Sequence, residues 1–124
     1  MTVHLDTSAL IDALTGPRRS LRALTDFVEE GHRLAVSTIV LYEWLRGPRT
    51  RSELSAQEDL LPREAAVAFG PVESDLAAKL YKRAQRARGR EIDLAVAACA
   101  LAGAAVLWTL NRKDFADIPD LRLL

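Results

Sequence analysis

Three acids stand alone in apolar surroundings. Asp6 closes the short run "VHLD" (3–6), Glu43 is the only charge between Ala35 and Leu45, and Asp93 is the only charge in the sixteen residues from Ile92 to Leu107. A fourth polar position follows the apolar run 105–110, where "NRKDF" supplies Asn111 and Asp114. A buried carboxylate is costly unless it is protonated, hydrogen-bonded or bound to a cation. Converging carboxylates also raise one another's pKa, and a hard divalent cation such as Mg²⁺ or Mn²⁺ removes that repulsion by taking oxygen ligands. Such a site supports phosphodiester hydrolysis, because the cation binds the phosphate, acidifies the attacking water and stabilises the leaving oxygen. Taken singly, each acid has a plainer reading: Asp6 as a helix cap or turn residue, Glu43 as a solvated helix edge, Asp93 as the ion-pair partner of Arg90 or a neighbouring arginine. The three are far apart in sequence, so only the fold can bring them together.

The elements that must do so alternate. "VHLD" reads as a buried strand and "TSALIDAL" (7–14) as the helix after it, with Thr7 or Ser8 as its cap. A second helix is expected over 21–31, a strand over 33–37 and a helix over 38–47, closed by Gly47-Pro48. The polar stretch 49–64 reads as helical, and Val67–Phe69 as an ambiguous third strand. Leu76, Ala77, Leu80, Tyr81 and Ala84 form the apolar stripe of a helix over 73–89. "EIDLAVAACALAG" (91–103) reads as a core helix, "AVLWTL" (105–110) as a fully buried strand and "LRLL" (121–124) as a last short strand. Strands alternating with helices imply a parallel sheet covered on both faces, with ligands bound at the carboxyl ends of its strands. Asp6 and the "NRKDF" positions lie at such ends.

Composition narrows the class. The chain has 124 residues, 49% of them hydrophobic and 27% charged, which fits one folded domain, 1–124. Its 17 basic and 17 acidic side chains cancel, so any preference for a charged partner must come from local clusters. A lone cysteine, Cys99, suits a reducing cytoplasm and reads as a small buried hydrophobe. No signal peptide is visible in residues 1–10, and the run 92–107 is shorter than the ~20 residues a membrane span needs.

The motifs "HLDTSALI" (4–11), "STIVLYEWLRG" (37–47), "REIDLAVAACALA" (90–102) and "VLWTLNRKDFADIPDLRLL" (106–124) together resemble the PIN-domain ribonucleases, in particular the VapC-type toxins of toxin–antitoxin pairs. The resemblance implies a three-layer α/β/α fold with a parallel sheet of about five strands. It also implies Mg²⁺- or Mn²⁺-dependent cleavage of RNA, a cognate antitoxin, and a homodimer. It carries the metal-binding acids onto Asp6, Glu43 and Asp93. The family often has an aspartate where this chain has Asn111, whose carbonyl oxygen still ligates but brings no charge. Asp114 is the candidate replacement, and Thr109 a candidate to hold a water.

Six basic residues and no acid occur between Leu76 and Arg90. On a continuous helix Lys79, Arg83, Arg86 and Arg90 would share one face, suited to RNA phosphates or merely solvated. Arg46, Arg49 and Arg51 form a second cluster. Trp44, Trp108 and the phenylalanines read as core. His4 and His32 have no serine or cysteine partner at a motif spacing, against a triad hydrolase. Two other classes stay open: a catalytically weak PIN-like RNA-binding module, disabled through Asn111, and an acidic-pocket phosphoacceptor domain. The latter lacks an aspartate after the middle strand, where the chain reads "STIV".

Overall fold

Val3, His4 and Leu5 are each 2% exposed or less, so the first strand is covered on both faces. In the computed structural model, which describes all 124 residues, this strand, β1 (Thr2–Leu5), is the centre of a parallel sheet. On one side it pairs with β2 (Arg33–Ala35), and on the other with β3 (Val106–Trp108). The order β2-β1-β3 sets the carboxyl ends of β1 and β3 side by side, with Leu5 opposite Trp108. Asp6 and Thr109, the next residue of each strand, are therefore neighbours.

Six α-helices surround the sheet: α1 (Thr7–Leu14), α2 (Leu21–Glu29), α3 (Thr38–Arg46), α4 (Arg51–Leu60), α5 (Pro71–Arg83) and α6 (Glu91–Ala102). Short 3₁₀ turns occupy Arg63–Ala65 and Arg112–Asp114. Beyond Asp93, helix α6 is apolar all round and its residues Leu94 to Ala100 are all buried, as expected of a helix in the middle of a core. Cys99 lies there with no exposure, and burial pushes its thiol up to about 11. Helix α3 starts where Ser37 accepts the amide of Val40, and α4 where Thr50 and Glu53 form a reciprocal capping box. No helix is long and apolar enough to cross a membrane.

Three expectations need correction. The sheet has three strands, not about five. The fourth and fifth positions exist only as single parallel bridges, Ser37 with Val67 and Leu107 with Leu123. Gly70-Pro71 opens α5 just after Val67, and Asp120 sits in a left-handed turn (φ 65°) just before Leu123, so neither segment has room to extend. Second, α5 ends at Arg83 rather than near 89. Ala84 is extended and Arg86 (φ 56°) and Gly89 (φ 87°) are left-handed. Left-handed residues cannot continue a right-handed helix, and Gly89 supplies the second of them at no steric cost. Lys79, Arg83, Arg86 and Arg90 therefore do not share a helical face. Third, the cap of α1 is Asp6, not Thr7 or Ser8, and the Asp6 side chain makes no capping bond.

Candidate acidic site

Asp6 is 5% exposed at the junction of β1 and α1. Its amide donates to the Trp108 carbonyl at 2.9 Å, which stitches the two strand ends together. Its carboxylate accepts from the Thr109 hydroxyl at 2.7 Å and from the Ser8 hydroxyl at 3.0 Å. Each hydroxyl has one proton, and both are directed at Asp6. The lone pairs of the same hydroxyls accept the amides of Asn111 and Leu110, each at 3.0 Å, so the chain leaving β3 is bound back onto the acid.

Glu43 lies on the face of α3 that packs against α1. The Thr7 hydroxyl donates to it at 2.6 Å, and Arg46 stands 3.5 Å away on the solvent side. Thr7 and Ser8 thus serve one acid each. Sequence reading offered Thr7 or Ser8 as the helix cap and missed this; the available signal was a hydroxyl pair directly after an acid at a strand end.

Asp93 is half-buried in the first turn of α6. Its carboxyl is pushed up to about 6, first by burial and then by the charges of Asp6, Asp114 and Glu43; Arg90 opposes the shift. Four acids from four parts of the chain therefore act on one rim at the carboxyl end of the sheet. They do not close into a metal-binding cluster as they stand: no three His, Cys, Asp or Glu side chains are grouped to hold an ion. Asp114 is exposed in the last 3₁₀ turn, and Asn111, also exposed, precedes that turn without a capping bond.

The basic candidates divide. Lys79 pairs with Asp75 at 2.8 Å within α5. Arg90 pairs not with Asp93 but with Asp117, at 2.6 and 2.9 Å, and sequence reading missed Asp117 entirely. Arg83 lines a cavity of about 380 Å³ with Leu80, Ala84, Leu94 and Ile118. Arg86 is exposed in the turn after α5. In the second cluster Arg46 leans over Tyr42 and Arg49 stacks 4.3 Å from the centre of the Trp44 ring. Trp44, Trp108 and Phe115 are core residues, as read from the sequence, but of the other two phenylalanines Phe27 only packs half-buried against the core and Phe69 lies outside it.

Comparison with known proteins adds a lineage. A family described as "PIN domain" matches residues 3–121. The chain is 32% identical to Ribonuclease VapC19 of Mycobacterium tuberculosis, with 95% of each protein covered. Its fold is similar to that of VapBC2 from Rickettsia felis, solved bound to a DNA fragment from the promoter, with a TM-score of 0.78, 22% identity, and 100% of this chain and 98% of that one covered. A toxin-antitoxin complex from Klebsiella pneumoniae gives a TM-score of 0.73 at 24% identity, with 98% and 95% covered.

Proposed function

The chain belongs to the PIN-domain family, and on that premise we propose that it is an endoribonuclease, the toxin of a type II toxin–antitoxin pair, cleaving RNA in the cytoplasm with Mg²⁺ or Mn²⁺. The observation that carries this reading is the acidic rim, in a chain 32% identical to Ribonuclease VapC19 over 95% of both proteins. The similar fold of a toxin-antitoxin complex supports a cognate antitoxin as partner, and a homodimer belongs to the same reading.

The donors fit a hard cation. Asp6, Glu43, Asp93 and Asp114 offer carboxylate oxygens and Asn111 an amide oxygen, with no thiolate or imidazole among them. Burial, and after it the charges of the neighbouring acids, raises the Asp93 pKa, and a divalent cation would relieve the repulsion among them. When bound, such a cation supplies an acidified water and charge neutralisation at the scissile phosphate. The protein's part is orientation. The Ser8 and Thr109 hydroxyls hold one Asp6 oxygen, and Thr7 holds Glu43, so both carboxylates are fixed before substrate arrives. Asp93 and Asp114 face them from α6 and the last 3₁₀ turn. Of the four candidates Lys79, Arg83, Arg86 and Arg90, the first and last are held in ion pairs, which leaves Arg83 and Arg86 free to meet phosphates.

The test is cleavage of total RNA by the purified protein in magnesium, in manganese and in EDTA. Asp6→Asn and Asp93→Asn should each lower the rate by at least ~100-fold, and EDTA should abolish it. Full activity of both variants, or cleavage undiminished in EDTA, would refute the metal mechanism. RNA binding without cleavage under all conditions would leave the weak RNA-binding module as the better reading.

A further inference from the structure

Arg90 sits at the N-cap of α6, three residues before Asp93, with only 19% of its side chain exposed. Its guanidinium makes a two-pronged pair with Asp117, at 2.6 and 2.9 Å, and donates to the Asp114 carbonyl at 2.9 Å and the Gln85 carbonyl at 3.3 Å. One side chain thus ties together the loop after α5, the head of α6 and the turn that carries Asp114. Four of the bonds its five N–H groups can make go to the protein, in the planar fork geometry that lysine cannot reproduce. The pairing is reciprocal: Asp117 holds Arg90 charged, and Arg90 holds the Asp117 carboxyl below the usual range.

The turn it grips is otherwise held at its start, by the Asn111 amide on the Thr109 hydroxyl and by Arg112, whose guanidinium donates to the Leu124 carbonyl at 2.7 Å. Within 112–115 the amides of Asp114 and Phe115 bond only to Asn111 and Arg112, and the buried Phe115 ring is the apolar anchor. We propose that Arg90 is a positioning residue, not an RNA contact: through Asp117 and the Asp114 carbonyl it fixes the Asp114 carboxylate opposite Asp93. A phosphate would have to displace a bidentate carboxylate already in place, which disfavours the direct contact. The inference rests on the nuclease reading for its catalytic consequence, but the latch itself is testable without turnover.

The decisive variant is Asp117→Ala, which frees Arg90 without removing its charge. If Arg90 positions Asp114, then Arg90→Ala, Arg90→Lys and Asp117→Ala should each lower kcat about tenfold or more with KM for RNA nearly unchanged. The double variant Arg90→Ala/Asp117→Ala should be no worse than Arg90→Ala alone, because Asp117 acts only through Arg90. Hydrogen exchange at the Asp114 and Phe115 amides should accelerate in all of them. If Arg90 instead meets phosphate, Asp117→Ala should tighten RNA binding, Arg90→Lys should keep most activity, and Arg90→Ala should raise KM; any of these overturns the proposal. A wild-type protein that cleaves no RNA refutes the nuclease reading, and exchange then decides the latch alone: unchanged exchange overturns it.

Discussion

The acidic rim has two halves that treat the same side chain in opposite ways. At the β1 end, Asp6 is almost wholly buried and two hydroxyl donors hold its carboxylate. At the α6 end, burial and then the charges of three other acids push the Asp93 carboxyl up to about 6. Hydroxyl donors make the first half part of the folded scaffold. The second half is stabilised by whatever neutralises it, a proton or a cation. The difference separates residues that hold the site's shape from those that answer to its ligand.

That comparison is sharpest in variants that look equivalent. Asp6→Asn and Asp93→Asn are both expected to lose at least ~100-fold in activity. Their stabilities should diverge in sign. Asp6→Asn replaces charge-assisted bonds in a buried setting and should cost about 1–3 kcal/mol in denaturant unfolding. Asp93→Asn removes repulsion and should raise the melting temperature in EDTA. Equal shifts of the same sign would erase the distinction between the halves.

A smaller effect isolates the donors. Thr109→Val keeps the shape of the side chain and removes one hydroxyl from Asp6, which should destabilise the protein by about 1–2 kcal/mol. It also releases the Asn111 amide, so the entry to the last 3₁₀ turn should exchange faster. An unchanged midpoint would mean that Ser8 alone suffices.

The pH dependence tests the other half. Burial and the neighbouring acids push the folded Asp93 carboxyl up to about 6, above its ordinary 3.8. A raised folded-state pKa gives stability that is complete below the unfolded value and lost as pH rises through the folded one. Metal-free protein should therefore lose stability from about pH 4 to pH 6 through this group, and Asp93→Asn should lack that part of the decline in melts followed across this range.

How much of this was legible in the sequence depends on what made each feature. The core helix α6 and the strand after it follow from apolar runs that only a buried element can use, whereas Ser37, read as the last residue of a strand over 33–37, is the cap of α3, and that strand stops at Ala35. Isolation in apolar surroundings was enough to single out Asp6, Glu43 and Asp93. The outer strands were not legible as bridges: the stretch at Val67 is cut short where Gly70-Pro71 opens α5, and the one at Leu123 follows a left-handed turn at Asp120 that no side-chain pattern announces. The end of α5 was missed for a similar reason: Leu76, Leu80 and Ala84 keep helical spacing up to the point where the chain turns left-handed at Arg86. Asp117 carries no local signal, since its partner lies 27 residues earlier.

The smallest expected effect lies far from the rim. Lys79 and Asp75 form an exposed pair one helical turn apart, so Lys79→Ala should change stability by no more than about 0.5 kcal/mol. A larger loss would mean that the basic face of α5 is structural.

The most direct test of the central claim, that the Asp93 half of the rim awaits a cation, is thermal unfolding of the wild type and Asp93→Asn across a magnesium titration at fixed ionic strength and neutral pH. Magnesium should stabilise the wild type by RT ln(1 + [L]/Kd), about 1.4 kcal/mol at ten times Kd. Asp93→Asn should start higher in EDTA and gain much less. If the variant instead melts lower in EDTA and both proteins respond equally to magnesium, Asp93 is a structural residue and the cation, if one binds, is held elsewhere.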